Sequence, residues 1–438
     1  MAGDGAALEI PALTTAAASG RTNWAGNVTF SAAQIHQPSS LGELQALVAG
    51  DRRIRALGTR HSFSDLADSP GSLVSLARLP PVLEVDSAAA TARVGAGLRY
   101  SGLGASLDRQ GWALPNLGSL PHISVAGACA TSTHGSGTGN GSLATAVSAL
   151  ELVTVTGDLV TLSRTPHDDR FDGAVVALGR LGVAVSVTLD LVPSFTVAQH
   201  VFEWLPLAVL DDHFASVAAG AYSVSLFTDW REPRFQVWFK QRTSQPRPAA
   251  PPVSGEAWFA ARPADGPRHP IPGLDPASCT EQLGVAGPWY ERLPHFRPDA
   301  IPSAGDELQT EYLIPAGDAV AALHALDQVR DRIHPVLQVC EVRTVAADRL
   351  WLSPAFQRDA VALHFTWTAD TRAVMPVVEL IEAQLAPFHP RPHWGKIFRL
   401  PPADVSGGYP RLADFQRLAG ELDPAGKFGN VFTARYLG

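Results

Sequence analysis

The 438-residue sequence has few cysteines and no long apolar run. Cys129, Cys279 and Cys340 form neither a CxxC pair nor an even set, so we expect no disulfide scaffold, no structural zinc site and a reducing compartment. No stretch of about 18 apolar residues predicts a transmembrane helix. The N-terminus, MAGDGAALEIPALTTAAASG, lacks a basic region and a continuous apolar core, so we expect no cleaved signal peptide and a cytoplasmic location.

Positive charge is also scarce. Charged residues make up 17% of the chain and the formal net charge is -8, and no basic tract is present, which argues against a broad nucleic-acid or anionic-membrane surface. The lysines are Lys240, Lys396 and Lys427. Genome composition accounts for a general preference for arginine. Lysine, unlike arginine, can lose its proton in a protein, so each remaining lysine is worth considering as a functional amine.

Predicted strands and helices alternate without a regular βαβ repeat. In the first 195 residues, short strands and hairpins such as VLEVDSAAATARVGAG are interspersed with short helices, one of them running from an N-cap at Ser40 to about Val48. From about Thr196 longer strands (FQVWFKQR, LQTEYLIP, VLQVCEVRTV and VALHFTWT) and an amphipathic helix (TRAVMPVVELIEAQLAPF) are predicted. Between them, residues 245–276 are rich in proline and glycine and predict an irregular excursion. This order favours an α+β fold over a doubly wound sheet.

Two segments of the first half suit a phosphate-containing ligand. In LGTRHS, Gly58 lets the backbone approach a ligand, and successive N–H groups in such a loop form an anion-binding concavity. The alternative is a plain turn after a strand. PHISVAGACATSTHGSGTGNGS, from Pro121 to Ser142, has almost no large side chain, which suits backbone packing on an extended ligand or a tightly packed helix. Together they favour a dinucleotide, although no GxGxxG follows a strand to predict a Rossmann site.

Two predicted strands of the second half each carry a polar pair on one face. Glu341 and Arg343 are two residues apart, as are His364 and Thr366. The pairs predict either the wall of a polar pocket or the solvent face of an antiparallel sheet. Their donors and acceptors suit a polyhydroxylated ligand, which favours the pocket. Lys396, in RPHWGKIF, is either a functional amine of that pocket or a solvated surface lysine.

Taken together, these segments resemble flavoproteins of the vanillyl-alcohol oxidase type, and within it the bacterial alditol (xylitol/sorbitol) oxidase branch. GTRHSF resembles the phosphate loop whose histidine carries covalent FAD, and LPHISVAGACATSTHGSG resembles the second FAD segment. GPWYERLPHFRP, CEVRTVAAD, LHFTW and RPHWGK resemble the substrate domain, in the same order. DPAGKFGNVF resembles the terminal return to the FAD domain. The similarity spans nearly the whole chain.

The resemblance implies a two-part FAD-binding domain with an inserted substrate (cap) domain that contains an antiparallel sheet. Its expected parts are residues 1–197 for the first FAD part, 198–397 for the substrate domain and 398–438 for the completion of the FAD domain. The N-terminus is about a dozen residues longer than the family needs, and we expect the segment MAGDGAALEIPALTTAAASG to be disordered.

The resemblance also implies that FAD is tethered covalently to His61 through its 8α-methyl group. Some relatives attach the flavin a second time, through a cysteine before the proline of the second segment. Leu120 occupies that position here, so a second tether is not expected, and Cys129 is interpreted as a small buried residue.

Further site residues are implied for the cofactor and for the substrate. Besides His61, those implied for FAD are Arg55, Gly58, Thr59, Arg60, Ser62, Ser124, Gly127, Thr131, Thr133, His134, Gly135, Gly182 and Val183. Those implied for the polyol are Ser124, Glu341, Arg343, His364, Thr366 and Lys396. No metal is expected, because the histidines show neither HExxH nor paired ligand spacing. We expect a monomer without nucleic-acid or membrane partners.

The reaction implied is oxidation of the terminal primary alcohol of an alditol to the aldose, with hydride transfer to flavin N5 and reduction of O2 to H2O2. We predict a catalytic set in which Arg343 and Lys396 favour the alkoxide developing at C1, and Lys396 takes the proton if its pKa is lowered beside Arg343. Glu341 and His364 hold the adjacent hydroxyl. The alternatives are an aldonolactone oxidase or dehydrogenase of the same fold, a sugar-binding protein without redox function and a metal hydrolase.

Overall fold

The computed structural model describes residues 21–164, 169–243, 258–300 and 306–438. The N-terminal segment for which we predict disorder lies outside the described residues, as does most of the first half of the irregular excursion. No helix in the described ranges is both long enough and apolar enough to cross a bilayer.

The strands of the described chain are short in the first half and longer in the second. In chain order they are β1 (Gln34–His36), β2 (Ile54–Ala56), β3 (Ser72–Val74), β4 (Leu83–Asp86), β5 (Thr91–Gly95), β6 (Trp112–Ala113), β7 (Val147–Val153), β8 (Leu159–Ser163), β9 (Val183–Asp190), β10 (Val192–Pro193), β11 (Thr196–Pro206), β12 (Ser223–Thr228), β13 (Arg234–Arg242), β14 (Arg262–Pro263), β15 (Gly287–Pro288), β16 (Glu307–Pro315), β17 (Leu337–Val345), β18 (Ala360–Thr368) and β19 (Arg391–Pro392).

The helices follow the same division. They are α1 (Leu41–Gly50), α2 (Tyr100–Asp108), α3 (Val125–Ala130), α4 (Arg170–Val175), α5 (Leu210–Ala218), α6 (Trp289–Arg292), α7 (Ala319–Asp327), α8 (Arg330–Ile333), α9 (Thr371–Leu385), α10 (Pro402–Gly407), α11 (Leu412–Leu422) and α12 (Val431–Tyr436). Short 3-10 turns connect several of them.

The first half of the chain contains a short antiparallel pair, β6 with β10, and two main sheets. In the smaller one, β1 and β2 each pair in parallel with β3, and α1 connects β1 to β2. The helix begins where predicted, because the hydroxyl of Ser40 accepts the N–H of Glu43 and so caps the first turn. The larger sheet has the antiparallel order β4-β5-β9-β7-β8, and the predicted hairpin VLEVDSAAATARVGAG forms its strands β4 and β5.

One large antiparallel sheet dominates the second half. Its order is β14-β11-β13-β12-β17-β18-β16-β19, and β15 pairs with β11. Helix α5 packs on β12 and α9 packs on β18, with α7 between the two helices. Val342 and Phe365 alternate with the polar residues of β17 and β18 and are buried in the main core. The mixture of short helices with antiparallel sheets confirms the α+β class.

The last helices return to the first half of the chain. The N–H of Ile54 donates to the carbonyl of Lys427, and the guanidinium of Arg55 donates to the carbonyl of Phe428. The side-chain amide of Asn430 caps α12 and also donates to the carbonyls of residues 65, 66 and 68. The segment before α12 therefore holds both β2 and the chain that follows the LGTRHS loop.

Candidate active site

A cavity of about 1500 Å³ lies between the first half of the chain and the polar face of the large sheet. The LGTRHS loop and the small-residue segment form one side of it, and residues of β16, β17 and β18 form another. Pockets for single small ligands occupy about 300–1,000 Å³. This cavity therefore has room for a dinucleotide together with a small substrate.

All six predicted polyol residues line this cavity, namely Ser124, Glu341, Arg343, His364, Thr366 and Lys396. The predicted FAD residues that also line it are Arg55, Gly58, Thr59, Arg60, His61, Ser62, Ser124, Gly127, Thr131, Thr133, His134 and Gly182.

Two predicted cofactor residues lie behind the cavity wall. A Cβ at Gly135 would collide with the carbonyl oxygen of Leu117, so this glycine permits close packing of two backbone segments. Val183 is buried in a small apolar cluster with Ile54 and Phe428. Neither residue is among those that line the cavity, and cofactor contact at these two positions stays a prediction.

Antiparallel register brings the polar residues of the sheet into rows. Glu341 on β17 pairs with His364 on β18, and His364 pairs in turn with Glu311 on β16. Thr366 pairs with Gln309 in the neighbouring row. Direct partners of an antiparallel ladder project from the same face, so these residues form one polar surface. Glu341, Arg343, His364 and Thr366 are only 4–9% exposed, which excludes the solvent-face alternative.

Arg343 joins the sheet to the small-residue segment. Its Nη2 lies 2.5 Å from Oε1 of Glu311, and its Nη1 donates to the hydroxyl of Ser119 and the carbonyl of His134, both at 3.3 Å. Its Nε is 3.5 Å from Oε2 of Glu341. Burial alone would raise the pKa of Glu311 and Glu341, but the Arg343 guanidinium holds both carboxyl groups below their ordinary pKa. The two carboxylates are therefore ionised at neutral pH.

Lys396 enters the same surface from the chain that follows β19. The N–H of Ile397 donates to the carbonyl of Gln309, which fixes this segment beside β16, and the Lys396 ammonium donates to the Gln309 side chain. Burial, with help from the positive charge of Arg343, lowers the pKa of Lys396 to about 8. The main cause is thus loss of hydration, whereas the sequence suggested Arg343. A lysine with this pKa can exchange a proton near neutral pH.

His61 stands where the LGTRHS loop meets the Lys396 segment. The N–H of Phe63 donates to the carbonyl of Gly395 at 2.7 Å, so the two segments are joined directly. The His61 ring stacks on Trp24, with centroids 5.2 Å apart, and its Nδ1 is 3.2 Å from the carbonyl of Thr59. Burial and the neighbouring positive charges lower the pKa of His61 to about 4. The imidazole is therefore neutral at pH 7 and keeps a lone pair.

The two glycine-bearing segments approach each other at Ser124. A Cβ at Gly58 would lie 2.8 Å from the Ser124 hydroxyl, and a Cβ at Gly127 would lie 2.7 Å from the same oxygen. The absence of these side chains keeps a narrow cradle open, and a flat ring system can lie against its backbone. The cradle, the volume of the cavity and the polar groups on β16, β17 and β18 fit a flavin dinucleotide.

Arg55 belongs to the wall but is largely committed to the protein. Its Nη2 donates to the carbonyls of Leu66 and Leu178 at 2.8 and 2.7 Å, and its Nη1 donates to Phe428. Arg55 therefore clamps three backbone segments around the cavity.

Sequence reasoning missed several buried polar residues of the site. Gln309 and Glu311 are two residues apart in LQTEYLIP, so the rule that found the pairs on β17 and β18 applies to them as well. Lys240 and His295 come from β13 and from the chain after α6, and their connection to Glu341 depends on tertiary structure. In the ranges that the structure describes, no three histidine, cysteine or carboxylate residues are placed to hold a metal ion.

Comparisons with known proteins agree with this geometry. The chain matches the FAD binding domain model over residues 32–163 and the D-arabinono-1,4-lactone oxidase model over residues 306–436. It is 29% identical to L-gulono-1,4-lactone dehydrogenase of Mycobacterium tuberculosis, over 95% of this chain and 99% of the relative. The crystal structure of cholesterol oxidase from B. sterolicum aligns with a TM-score of 0.73 at 15% identity, covering 95% of this chain and 96% of that one, and supports the fold.

A stronger similarity links the chain to the alditol oxidase of a Streptomyces species. The two are 54% identical over 415 residues, which is 94% of this chain and 97% of the relative. This confirms the resemblance found in the sequence motifs. The chain belongs to the alditol oxidase family of FAD-binding oxidoreductases, within the vanillyl-alcohol oxidase type.

Proposed function

We propose that this protein oxidises the terminal primary alcohol of alditols such as xylitol and sorbitol to the aldose, and that O2 is reduced to H2O2. The observation that carries the proposal is the buried polar surface on β16, β17 and β18, which faces the cavity together with Lys396. A row of fixed donors and acceptors suits a chain of hydroxyl groups. The 54% identity to an alditol oxidase favours an alditol over an aldonolactone.

Lys396 and Arg343 act at the reacting hydroxyl in this proposal. Lys396 accepts the hydroxyl proton in its neutral form, and the guanidinium of Arg343 favours the negative charge that develops on the oxygen. Bound FAD supplies the two-electron redox chemistry. Glu341 and His364 bind the adjacent hydroxyl, and Ser124 and Thr366 fix the rest of the substrate chain.

The cofactor is held by the two glycine-bearing segments, with a covalent bond to His61. A neutral imidazole at the cavity wall, with its ring fixed on Trp24, is suited to such a bond. Thr59, Arg60, Ser62, Thr131, Thr133 and Gly182 complete the wall on the cofactor side. Precipitation of the purified protein with acid should leave the yellow colour in the pellet.

The domain boundaries of this proposal fall near residues 197 and 398. Strand β11 begins at Thr196 and already belongs to the large sheet, while the chain after Lys396 returns to the first half.

We also propose that the protein is a monomer, and light scattering of the purified protein tests this.

A peroxide-release assay across xylitol, sorbitol, glycerol and an aldonolactone tests the substrate class. We expect the highest kcat/KM with a five- or six-carbon alditol; a preference for the lactone would refute the proposal. Bleaching of the flavin by substrate without air, and rapid recovery when air is admitted, separates an oxidase from a dehydrogenase.

A further inference from the structure

Lys240 is a fully buried lysine outside the catalytic set proposed above. It lies on β13 and is 1% exposed. Its ammonium donates to the carbonyls of Leu293 and Pro294 at 2.5 and 2.9 Å and lies 3.1 Å from Nδ1 of His295. A lysine ammonium has three donors and no acceptor. The three partners therefore use all three N–H groups.

His295 links this lysine to the polar surface on β16, β17 and β18. Because Nδ1 accepts from Lys240, the proton of the neutral ring is on Nε2, which lies 2.7 Å from Oε1 of Glu341. The ring is fixed by edge contacts with Trp238 and Phe227, at centroid distances of 5.2 and 5.4 Å. The geometry thus selects one tautomer and one orientation of the imidazole.

The charge of Glu341 favours the protonated form of Lys240, against the effect of burial on its pKa. Glu341 and Cys279 face Lys240, while Glu341 and Arg343 face His295. Burial lowers the pKa of Lys240 to about 7, and burial together with the Lys240 charge lowers the pKa of His295 to about 4. The ring therefore stays neutral at working pH and donates to an ionised Glu341.

We propose that Lys240 and His295 are positioning residues that orient the carboxylate of Glu341 for the substrate hydroxyl. His295 takes Oε1, which leaves Oε2, 3.5 Å from Nε of Arg343, as the acceptor for the hydroxyl next to the reacting carbon. Lys240 acts through His295 and does not touch the substrate. The inference rests on the role proposed above for Glu341.

Two substitutions at His295 test the proposal in the holoenzyme. His295→Gln keeps an N–H donor for Glu341, whereas His295→Leu removes it. His295→Leu loses a hydrogen bond to a charged group. We therefore expect KM for xylitol to rise about 10- to 100-fold in this variant, with a smaller change in kcat. His295→Gln should recover most of the affinity. Equal KM values in His295→Leu and the wild type would overturn the proposed positioning role of His295.

Lys240→Met tests the positioning role of Lys240, and Lys427→Met is the matched control. Lys427 donates to the carbonyls of Val48 and Val155, outside the cavity wall. We expect KM to rise in Lys240→Met and to stay unchanged in Lys427→Met. If Lys240→Met does not fold, the two His295 variants decide the question.

The tautomer of His295 gives a readout that does not depend on turnover. In protein labelled with ¹⁵N-histidine, the signals missing from His295→Gln identify its ring. The wild type should show Nε2–H and no titration between about pH 5 and pH 8, and Lys240→Met should raise the pKa of the ring. A ring protonated on Nδ1 in the wild type would contradict the proposed positioning of Glu341 by Lys240 and His295. Lack of xylitol oxidation by the wild type would instead refute the proposed function.

Discussion

Replacement of Lys396 provides a direct test of the proposed proton transfer. Lys396→Met keeps the length of the side chain and removes both the base and the charge. General base catalysis contributes about 10²- to 10⁴-fold, which corresponds to about 3–6 kcal/mol of barrier at about 1.4 kcal/mol per decade. We therefore expect the rate of flavin bleaching by xylitol without air to fall by that factor.

The pH dependence of the wild type follows from the same residue. A pKa of about 8 leaves about a tenth of Lys396 neutral one unit below it. Because the neutral amine is the acceptor, the bleaching rate should rise about tenfold per pH unit at lower pH and level off above about pH 8. This acid limb should disappear in Lys396→Met.

A second variant separates the base from its charge. Lys396→Arg keeps a cation that cannot be deprotonated, so it should remain slow if Lys396 is the base. Lys427→Met is the control for loss of a partly buried lysine contact and should bleach at the wild-type rate. Near-full turnover in Lys396→Met, or recovery in Lys396→Arg, would refute the reasoning.

Three further predictions concern the cofactor wall and the buried histidines. His61→Ala should release its flavin on acid precipitation; colour in the pellet would exclude His61 as the tether. Gly135→Ala should lower the free energy of unfolding by about 1–3 kcal/mol, since its Cβ meets Leu117, and a thermal melt measures this. Burial lowers the pKa of His364 and His393 to about 3, so the unfolded chain binds more protons than the folded chain below about pH 6.5. Tm should therefore fall from pH 7 to pH 5. An unchanged Tm would contradict the burial of these two histidines in their neutral form.

The period of a strand accounts for most of what the sequence predicted of the substrate surface. Side chains two residues apart share a face, which was sufficient to group Glu341 with Arg343 and His364 with Thr366. The sequence did not reveal that β17, β18 and β16 are neighbours in that order, because strand order depends on contacts distant in the chain. Application of the same rule to Gln309 and Glu311 would have predicted them.

Other parts of the site have no local pattern to reveal them. His295 lies in an irregular segment after α6, and its position beside Lys240 results from the way that segment packs against β13. The scarcity of lysine drew attention to Lys240, but only the structure supplies its partner. Conversely, small-residue composition did not distinguish Gly127, which faces the cavity, from Gly135, which packs behind it.

The return of the last helices to β2 has a consequence for biosynthesis. Arg55 and its partner Phe428 are separated by 373 residues. During synthesis, β2 and the loop after it therefore lack this partner until the large antiparallel sheet and the helices α10 and α11 have been made. Until then the buried guanidinium of Arg55 lacks one of its carbonyl acceptors and the chain after LGTRHS lacks the amide of Asn430. The cofactor cradle is therefore completed late in translation, and stable loading of the flavin should follow release of the chain.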